Sequence, residues 1–305
     1  MSSSTASPIT VQVPATSANL GPGFDSLGLA LNLYNSFTFS VSEENHFEVS
    51  EDSTVETPGL PKQLEHSLIY QGLRAVYGAC NTPLPKFHVS LTANVPVERG
   101  LGSSSTAIVA GLVAANHLLG NPLAPKALLQ LAAISEGHAD NVSPALLGGC
   151  QLCDGDPNNE YVQSYPLPWP KDWHIIAVIP NTPLNTEKAR STLPESIPTA
   201  DAAFTARKMG LWLHALHTAD ARAFKSALVD KLHQPYRAPL IDDFEAVEQF
   251  CYGHPDAMGC VISGSGSTMV VPTTHPEELA EELAEQFPHC TIQSLQVDWH
   301  GAQVI

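Results

Sequence analysis

The chain has 305 residues, of which 43% are hydrophobic and 15% are charged, a composition typical of a folded globular protein. Its length allows one large domain or two ordinary ones. The formal net charge of −17 argues against a nucleic acid or an anionic membrane surface as the main partner, because both attract clustered Lys and Arg.

Targeting and membrane features are not evident from the sequence. Residues 1–8 have neither a basic start nor an apolar core, so we expect no secretory signal peptide. No segment approaches the roughly 20 apolar residues that span a bilayer. The six cysteines are scattered, which predicts reduced thiols in a cytoplasmic protein. Cys150 and Cys153 form a lone CxxC pair, for which the start of a strand is favoured over a metal or redox site.

The N-terminal half alternates predicted strands and helices. Residues 9–13 predict a strand, and residues 14–25 are so rich in turn formers that they predict an irregular loop. Further strands are predicted over 36–41, 47–50 and 87–91. Helices are predicted over 67–77, 106–119, 124–135 and 143–148, with Gly and Pro stops between them.

Residues 164–172 carry three prolines and are interpreted as a linker between domains at 1–168 and 169–305. Beyond it, strands are predicted over 175–179, 259–262, 269–271 and 291–297. Helices are predicted over 199–217, 221–229, 239–252 and 276–287. The pattern indicates a mixed α and β protein in two units.

The most informative segment is 96–105, a Gly- and Ser-rich turn that opens a strongly helical stretch. Glycines let backbone N–H groups approach a ligand closely, and the free N–H groups at a helix start favour an anion. No Lys follows the glycines, so this is not the common nucleotide loop. Two interpretations stand on this segment alone: a phosphate cradle, and a capped helix after an ordinary turn.

Three loops together resemble a known family. Residues 14–25, 96–105 and 263–268 resemble the three signature motifs of the GHMP small-molecule kinases, the second as P-x-x-x-G-L-G-S-S and the third as S-G-S-G-x-T. Within that family the chain is most similar to the homoserine kinases. The residues that carry this finer likeness are the first motif, P-x-T-S-A-N-L-G-x-G-F-D, and His138-x-Asp140-Asn141, Thr186-x-x-x-Arg190 and Pro235-Tyr236-Arg237.

The resemblance implies an α+β protein with the two-domain GHMP kinase fold, an S5 domain 2-like N-terminal domain and a ferredoxin-like C-terminal domain. ATP and substrate would meet in the cleft between them. The implied activity is the ATP- and Mg²⁺-dependent phosphorylation of L-homoserine to O-phospho-L-homoserine in threonine biosynthesis. Members of the family are commonly homodimers.

The resemblance also implies a nucleotide site. Its residues would be Ser67 near the adenine and, around the phosphates, Pro96, Arg99, Gly100, Leu101, Gly102, Ser103, Ser104 and Ser105. Ser104 and Glu136 would hold Mg²⁺, which prefers hard oxygen ligands. Considered alone, Glu136 is a solvent-facing acid near a helix end, where the helix dipole disfavours it.

The residue chemistry independently fits an amino acid. Asp25 and Asn19 offer oxygens for an ammonium group, and Arg190 and Arg237 offer paired N–H donors for a carboxylate. The arginines lie in segments that look turn-like, in a chain with only 14 basic residues. Considered alone, each arginine is better explained as a surface ion-pair partner and His138 as a structural histidine. Only the family resemblance reverses that preference.

By resemblance, His138 and Thr186 join the substrate site, while Asn141 and Arg190 orient the reacting hydroxyl. Its proton would pass to the phosphate or to solvent without a dedicated base. The absence of Lys from residues 14–25 argues against a mevalonate-type mechanism. Two other hypotheses remain open: a kinase of the same family for another small alcohol, and a nucleotide-sensing protein that binds ATP without turnover.

Overall fold

A computed structural model describes residues 7–156 and 161–305 of the chain. Within these residues, eleven strands form two sheets, and ten α-helices pack against them. Residues 1–6, where we expect no secretory signal, lie outside the described part.

The first sheet combines the N-terminal strands with the last strand of the chain. Its seven strands are β1 (Ile9–Ala18), β2 (Leu27–Ser42), β3 (His46–Val49), β4 (Lys86–Thr92), β5 (Cys150–Asp156), β6 (Tyr161–Leu167) and β11 (Gln303–Val304). The hydrogen-bonded order is β11-β1-β2-β4-β3, and β5 pairs with both β2 and β6. Alternating residues such as Phe37, Phe39 and Phe87 point to one face and form the core there.

Four helices lie against that face: α1 (Leu68–Ala79), α2 (Ser103–Leu118), α3 (Pro125–Glu136) and α4 (Val142–Leu147). Helix α2 is buried on most of its surface, because it packs on α1, α3 and the sheet at once. An apolar helix without a polar stripe is the sequence signature of such a central position. The start of α2 is therefore held rigidly.

The second sheet is built from the C-terminal part of the chain. Its strands β7 (His174–Ile179), β8 (Val261–Ile262), β9 (Met269–Thr273) and β10 (Thr291–Leu295) pair antiparallel in the order β10-β7-β9-β8. This 4-1-3-2 order is the ferredoxin-like arrangement that the resemblance implies. The helices of this part are α5 (Thr186–Ser191), α6 (Thr199–Thr218), α7 (Ala221–Ala227), α8 (Gln234–Arg237), α9 (Phe244–Gly253) and α10 (Pro276–Gln286).

Several predicted boundaries are wrong. Strand β1 continues through Ala18, because Ala15 to Ala18 pair with β2 beyond a bulge that accommodates Pro14. Residues 164–167 of the predicted linker lie in β6. Helix α9 begins at Phe244, after a separate 3₁₀ turn over Ala238–Leu240, and α5 was not predicted. We propose the domain boundary between β6 and β7, near residue 168, although β11 returns to the first sheet.

The second and third loops touch through a glycine. Gly100 has a φ of +73°, and a Cβ at this position would overlap the carbonyl oxygen of Ser263. The Ser263 hydroxyl in turn donates a hydrogen bond of 2.6 Å to the Gly100 carbonyl. The close approach of the two loops therefore requires glycine.

Gly100→Ala is expected to lower the free energy of unfolding more than Gly120→Ala does. Gly120 has a similar φ of +82°, but a Cβ there meets nothing within 4 Å. The control should lose about 1 kcal/mol from the left-handed backbone alone, and Gly100→Ala about 2 kcal/mol more from overlap with the third loop. Urea unfolding measures both. Equal losses would show that the two loops do not constrain each other.

Candidate active site

Loops of the two sheets line a cavity of about 550 Å³. Most of the predicted site residues line it: Asn19, Asp25, Ser67, Arg99, Gly100, Gly102, Ser103, Ser104, Glu136, His138, Asn141, Thr186, Arg190 and Arg237. These residues are up to 218 positions apart in the chain, from Asn19 to Arg237, and only folding brings them together.

The start of α2 opens into the cavity without a cap. Gly102 is the N-cap residue with a φ of 68°, and no side chain in the described part of the chain caps the following N–H groups. Because Gly102 has no side chain, the hydroxyl of Thr16 can approach its backbone closely. Uncapped N–H groups at the positive end of a helix dipole suit an anion. The lack of a side-chain cap in the described chain favours the phosphate cradle over the helix capped by a side chain.

Backbone hydrogen bonds join the three loops into one unit. The Thr16 N–H donates to the Leu101 carbonyl over 3.0 Å. The Gly264 N–H donates to the Ala18 carbonyl, and the Thr268 N–H to the Arg99 carbonyl, each over 3.0 Å. Leu101 itself is fully buried, so its contribution to the loop comes from its backbone. The cavity wall is therefore preorganised by main-chain contacts.

Glu136, the last residue of α3, meets the serines of the second loop. The Ser104 hydroxyl donates to Glu136 Oε1 over 2.6 Å, and the Ser105 hydroxyl does so over 3.2 Å. Burial raises the pKa of the Glu136 carboxyl, although these hydroxyls and nearby His138 oppose the rise. No Lys or Arg forms an ion pair with Glu136 within the ranges that the structure covers. A carboxylate beside a hydroxyl, without a cationic side chain, fits a hard cation such as Mg²⁺.

A chain of polar side chains crosses the cavity floor. His138 Nδ1 lies 2.8 Å from Asp140 Oδ1, and the Thr16 hydroxyl donates to Asn141 Oδ1 over 2.8 Å. Burial lowers the pKa of the His138 imidazole, but the hydrogen bond and charge of Asp140 outweigh it, so the net pKa is raised. Asp140 therefore fixes the orientation of the His138 ring and favours its protonated form.

Asp25 and Arg190 form a two-point ion pair at one side of the cavity. Arg190 Nη1 donates to Asp25 Oδ2 over 3.0 Å, and Nη2 donates to Oδ1 over 2.8 Å. The hydrogen bond to Asp25 raises the pKa of the Arg190 guanidinium above its ordinary value. Arg190 belongs to the helix α5, so the predicted turn-like setting is wrong for this residue.

Arg237 is a buried arginine that has no carboxylate partner among the described residues. It is 2% exposed and lies on the short helix α8, not in a turn-like segment. Its Nη1 donates to the Gly264 carbonyl over 3.0 Å, while Nε makes no hydrogen bond among the described residues. Its guanidinium carbon lies 5.0 Å from the centre of the Phe24 ring, and that of Arg190 lies 5.6 Å from it. Burial, and then the charge of Arg190, lower the pKa of Arg237.

An apolar pocket beside the second loop forms a part of the cavity that the sequence does not predict. It is lined by Phe37, Phe47, Leu60, Pro61, Leu68, Ile69, Leu91, Ala93, Val95, Ala107 and Ile108. Each of these residues looks like ordinary core in the sequence, so no local pattern reveals the pocket. Ser67 also lies here, but its hydroxyl accepts from Tyr70 N and donates to the Leu64 carbonyl, which caps α1.

Other predicted residues lie at the edge of the site. Pro96, Leu101 and Ser105 do not line the cavity. The Arg99 guanidinium donates to the carbonyls of Val97, Pro180 and Asn181, so it ties the second loop to the segment after β7. Cys150 and Cys153 are buried on β5, as the strand interpretation predicts, and burial raises the pKa of Cys153 to about 12.

Comparisons with known proteins show the family to which the chain is similar. Residues 67–149 match the family described as GHMP kinases N terminal domain. A homoserine kinase of Crocosphaera subtropica is 40% identical over 98% of both chains, and one of Nostoc punctiforme is 41% identical over 98% of this chain and 99% of that protein. The crystal structure of homoserine kinase from Cytophaga hutchinsonii superposes with a TM-score of 0.88 at 28% identity, covering 100% of this chain and 99% of that one.

The fold is the two-domain fold of the GHMP kinases, which are phosphotransferases that act on a hydroxyl group. Within that class, the chain belongs to the homoserine kinase family. In the described residues, none of the helices has the length and apolar character needed to cross a membrane.

Proposed function

We propose that this chain transfers the γ-phosphoryl group of ATP to the side-chain hydroxyl of L-homoserine, which yields O-phospho-L-homoserine for threonine biosynthesis. The observation that carries the proposal is Arg237, a buried guanidinium that faces the cavity without a carboxylate partner in the described chain. A buried cation of this kind is costly unless an anion compensates it. The carboxylate of an amino-acid substrate is such an anion.

The nucleotide occupies the side of the cavity nearest to α2. Its phosphates accept hydrogen bonds from the uncapped N–H groups at the start of α2 and from the Ser103 hydroxyl. The adenine enters the apolar pocket next to Ser67, where Phe47 and Leu68 offer apolar surface.

Ser104 and Glu136 hold the Mg²⁺ ion in this proposal. Their oxygens lie 2.6 Å apart beside the phosphate loop, and neither belongs to an ion pair with a described basic side chain. An Mg²⁺ ion held by these two residues would neutralise negative charge on the phosphates of ATP.

The amino-acid end of the substrate lies between the charged residues at the other end of the cavity. Arg237 binds the carboxylate, and Asp25 together with Asn19 binds the ammonium group. Arg190 holds both oxygens of Asp25 and so positions that carboxylate, while it also faces the cavity. His138 and Thr186 line the same space and complete the predicted substrate set.

The reaction needs positioning and charge stabilisation more than a covalent step by the protein. Asn141 is fixed by Thr16 and orients the substrate hydroxyl, and Arg190 stabilises the developing charge. The hydroxyl proton passes to the phosphate or to solvent, since Asp25 is engaged by Arg190 and is not free to accept it.

The same proposal places the protein in the cytoplasm, where its six free cysteines stay reduced. A homodimer stays a prediction.

A coupled ADP-release assay with saturating MgATP tests the proposal. L-Homoserine, L-serine, L-threonine and mevalonate are compared at equal concentrations. We expect turnover with L-homoserine to exceed that with the others. Preference for mevalonate or another alcohol without an amino group would favour a different GHMP kinase. ATP binding without turnover of any alcohol would favour the nucleotide-sensing hypothesis.

Asp25→Asn is expected to raise the KM for L-homoserine by about 10- to 100-fold, because a neutral amide replaces the charge that faces the ammonium group. The KM for ATP should stay within about twofold, since the phosphate loop does not contact Asp25 in this proposal. Steady-state kinetics with each substrate varied in turn measure the KM for L-homoserine and the KM for ATP. Asp172→Asn, an exposed position outside the cavity, is the matched control. An equal rise in both KM values would place Asp25 outside the ammonium site.

A further inference from the structure

Three metal-binding side chains meet on the outer face of the first sheet, away from the cavity. His46 and Glu48 lie on β3, and His88 lies on the adjacent strand β4 directly opposite His46. Because successive residues of a strand point to opposite faces, His46 and Glu48 share one face, while Phe47 between them is buried on the other. The parallel pairing of β3 with β4 therefore fixes all three side chains relative to one another.

The spacing of these side chains matches that of ligands around one ion. His46 Nε2 lies 3.5 Å from Glu48 Oε2, and His88 Nε2 lies 3.2 Å from Glu48 Oε1. Two ligands of a tetrahedral zinc ion with bonds of about 2.0–2.1 Å lie about 3.3 Å apart. The ligand atoms of all three residues lie within 4.8 Å of one another, so small side-chain rotations complete the set.

His88 adds a separate observation. Its Nε2 atom is shielded from solvent and makes no hydrogen bond within the described residues, even though Glu48 Oε1 is close. A shielded ring nitrogen without a hydrogen bond is a costly feature, and each such atom in a folded protein calls for an explanation. A metal ion that accepts the nitrogen lone pair supplies one.

We propose that His46, Glu48 and His88 form a binding site for a divalent transition metal of the zinc type, with water in the remaining coordination positions. Two imidazoles and one carboxylate are ligands for such ions, whereas Mg²⁺ prefers oxygen alone. The site is thus distinct in chemistry from the pair Ser104 and Glu136. The formal net charge of −17 raises the local concentration of cations. A bound ion would brace β3, whose Phe47 lines the cavity.

A second cluster provides an internal comparison. His289 Nε2 lies 2.8 Å from Asp243 Oδ2, and Cys290 Sγ lies 3.9 Å from the same oxygen. Burial and the neighbouring Asp243 raise the pKa of the Cys290 thiol to about 11. The thiol would have to lose its proton before it could bind a metal, and the His289 nitrogen is already hydrogen-bonded. The strand cluster is therefore the better site.

Calorimetric titration of the chelator-treated 305-residue chain with Zn²⁺, without nucleotide, tests the proposal. We expect binding of one zinc ion per chain at the strand cluster, with an increase in the thermal midpoint. His46→Ala and His88→Ala should each weaken that binding by about 10²-fold or more. His214→Ala, which removes an exposed histidine from α6, should leave it unchanged. Circular dichroism without zinc checks that each variant folds.

Three outcomes would overturn the proposal. One is zinc binding that survives both His46→Ala and His88→Ala, and another is the absence of binding to the parent chain. The third is loss of zinc binding in His289→Ala or Glu136→Gln while His46→Ala and His88→Ala bind zinc normally. This result would assign the zinc to the second cluster or to the active site. Glu48→Gln, which keeps the shape of the side chain, should weaken binding in the same direction as the histidine variants.

Discussion

Replacement of Arg237 by leucine is expected to raise the KM for L-homoserine by about 10²-fold or more, because a buried charge pair with the substrate carboxylate is lost. The KM for ATP should change by less than about threefold, since the one hydrogen bond that Arg237 makes among the described residues goes to the Gly264 carbonyl and not to the phosphate loop. The effect is the largest that we expect on substrate binding. Arg237 is 2% exposed, so water cannot replace the guanidinium as a partner for the carboxylate.

The same variant separates binding from folding. Arg237 donates one hydrogen bond to the Gly264 carbonyl and has no described carboxylate partner, so its charge is costly in the free protein. Arg237→Leu should therefore fold with an unchanged or higher free energy of unfolding. Lys at this position should restore only part of the affinity, because it lacks the paired N–H donors.

Steady-state kinetics in both substrates and urea unfolding provide the measurements. Arg207→Leu, an exposed arginine on α6, is the matched control and should alter neither KM. If Arg237→Leu raised the KM for ATP as much as that for L-homoserine, Arg237 would not bind the substrate carboxylate. If it unfolded the protein, the buried charge would be structural.

Ser104→Ala is expected to lower kcat by about 10²-fold or more, since it removes a contact that stabilises charge in the transition state. The reason is the 2.6 Å hydrogen bond from the Ser104 hydroxyl to Glu136. Among the described residues, Glu136 is the only carboxylate that accepts a hydrogen bond from a serine hydroxyl of the second loop. Half-saturation should also require more Mg²⁺. The free energy of unfolding should change little, because the lost contact is a single hydrogen bond.

Glu136→Gln tests the second proposed ligand of the same metal site. Because Ser104 and Glu136 touch, the two substitutions should not be additive, and the double variant should resemble the worse single one. Mg²⁺ titrations at saturating ATP and L-homoserine measure both effects. Ser40→Ala, on the outer face of β2, is the control and should not alter the Mg²⁺ requirement. Additive losses with an unchanged Mg²⁺ requirement would contradict a shared metal site.

Local sequence patterns predicted much of the fold but not the charge pairing in the site. Helix α2 and its glycine-rich start were predicted because glycine, serine and apolar spacing act within a few residues of one another. The sequence does not predict the pairing of Asp25 with Arg190, since the two residues are 165 positions apart and their chemistry suits different ends of the substrate. Helix α5 was missed because its six residues carry no clear apolar period.

The sequence by itself determined the family, the phosphate loop and most of the residue types in the site, because those depend on short motifs whose chemistry is local. Only the tertiary structure decided which charges are paired and which are not. Asp25 is matched by Arg190, whereas Arg237 is buried with its Nε unpartnered among the described residues. The tertiary structure also forms the apolar pocket from residues that look like ordinary core in the sequence. It places His88 opposite His46 on paired strands. Burial and pairing depend on contacts between distant segments, and those contacts exist only once the two sheets have packed together.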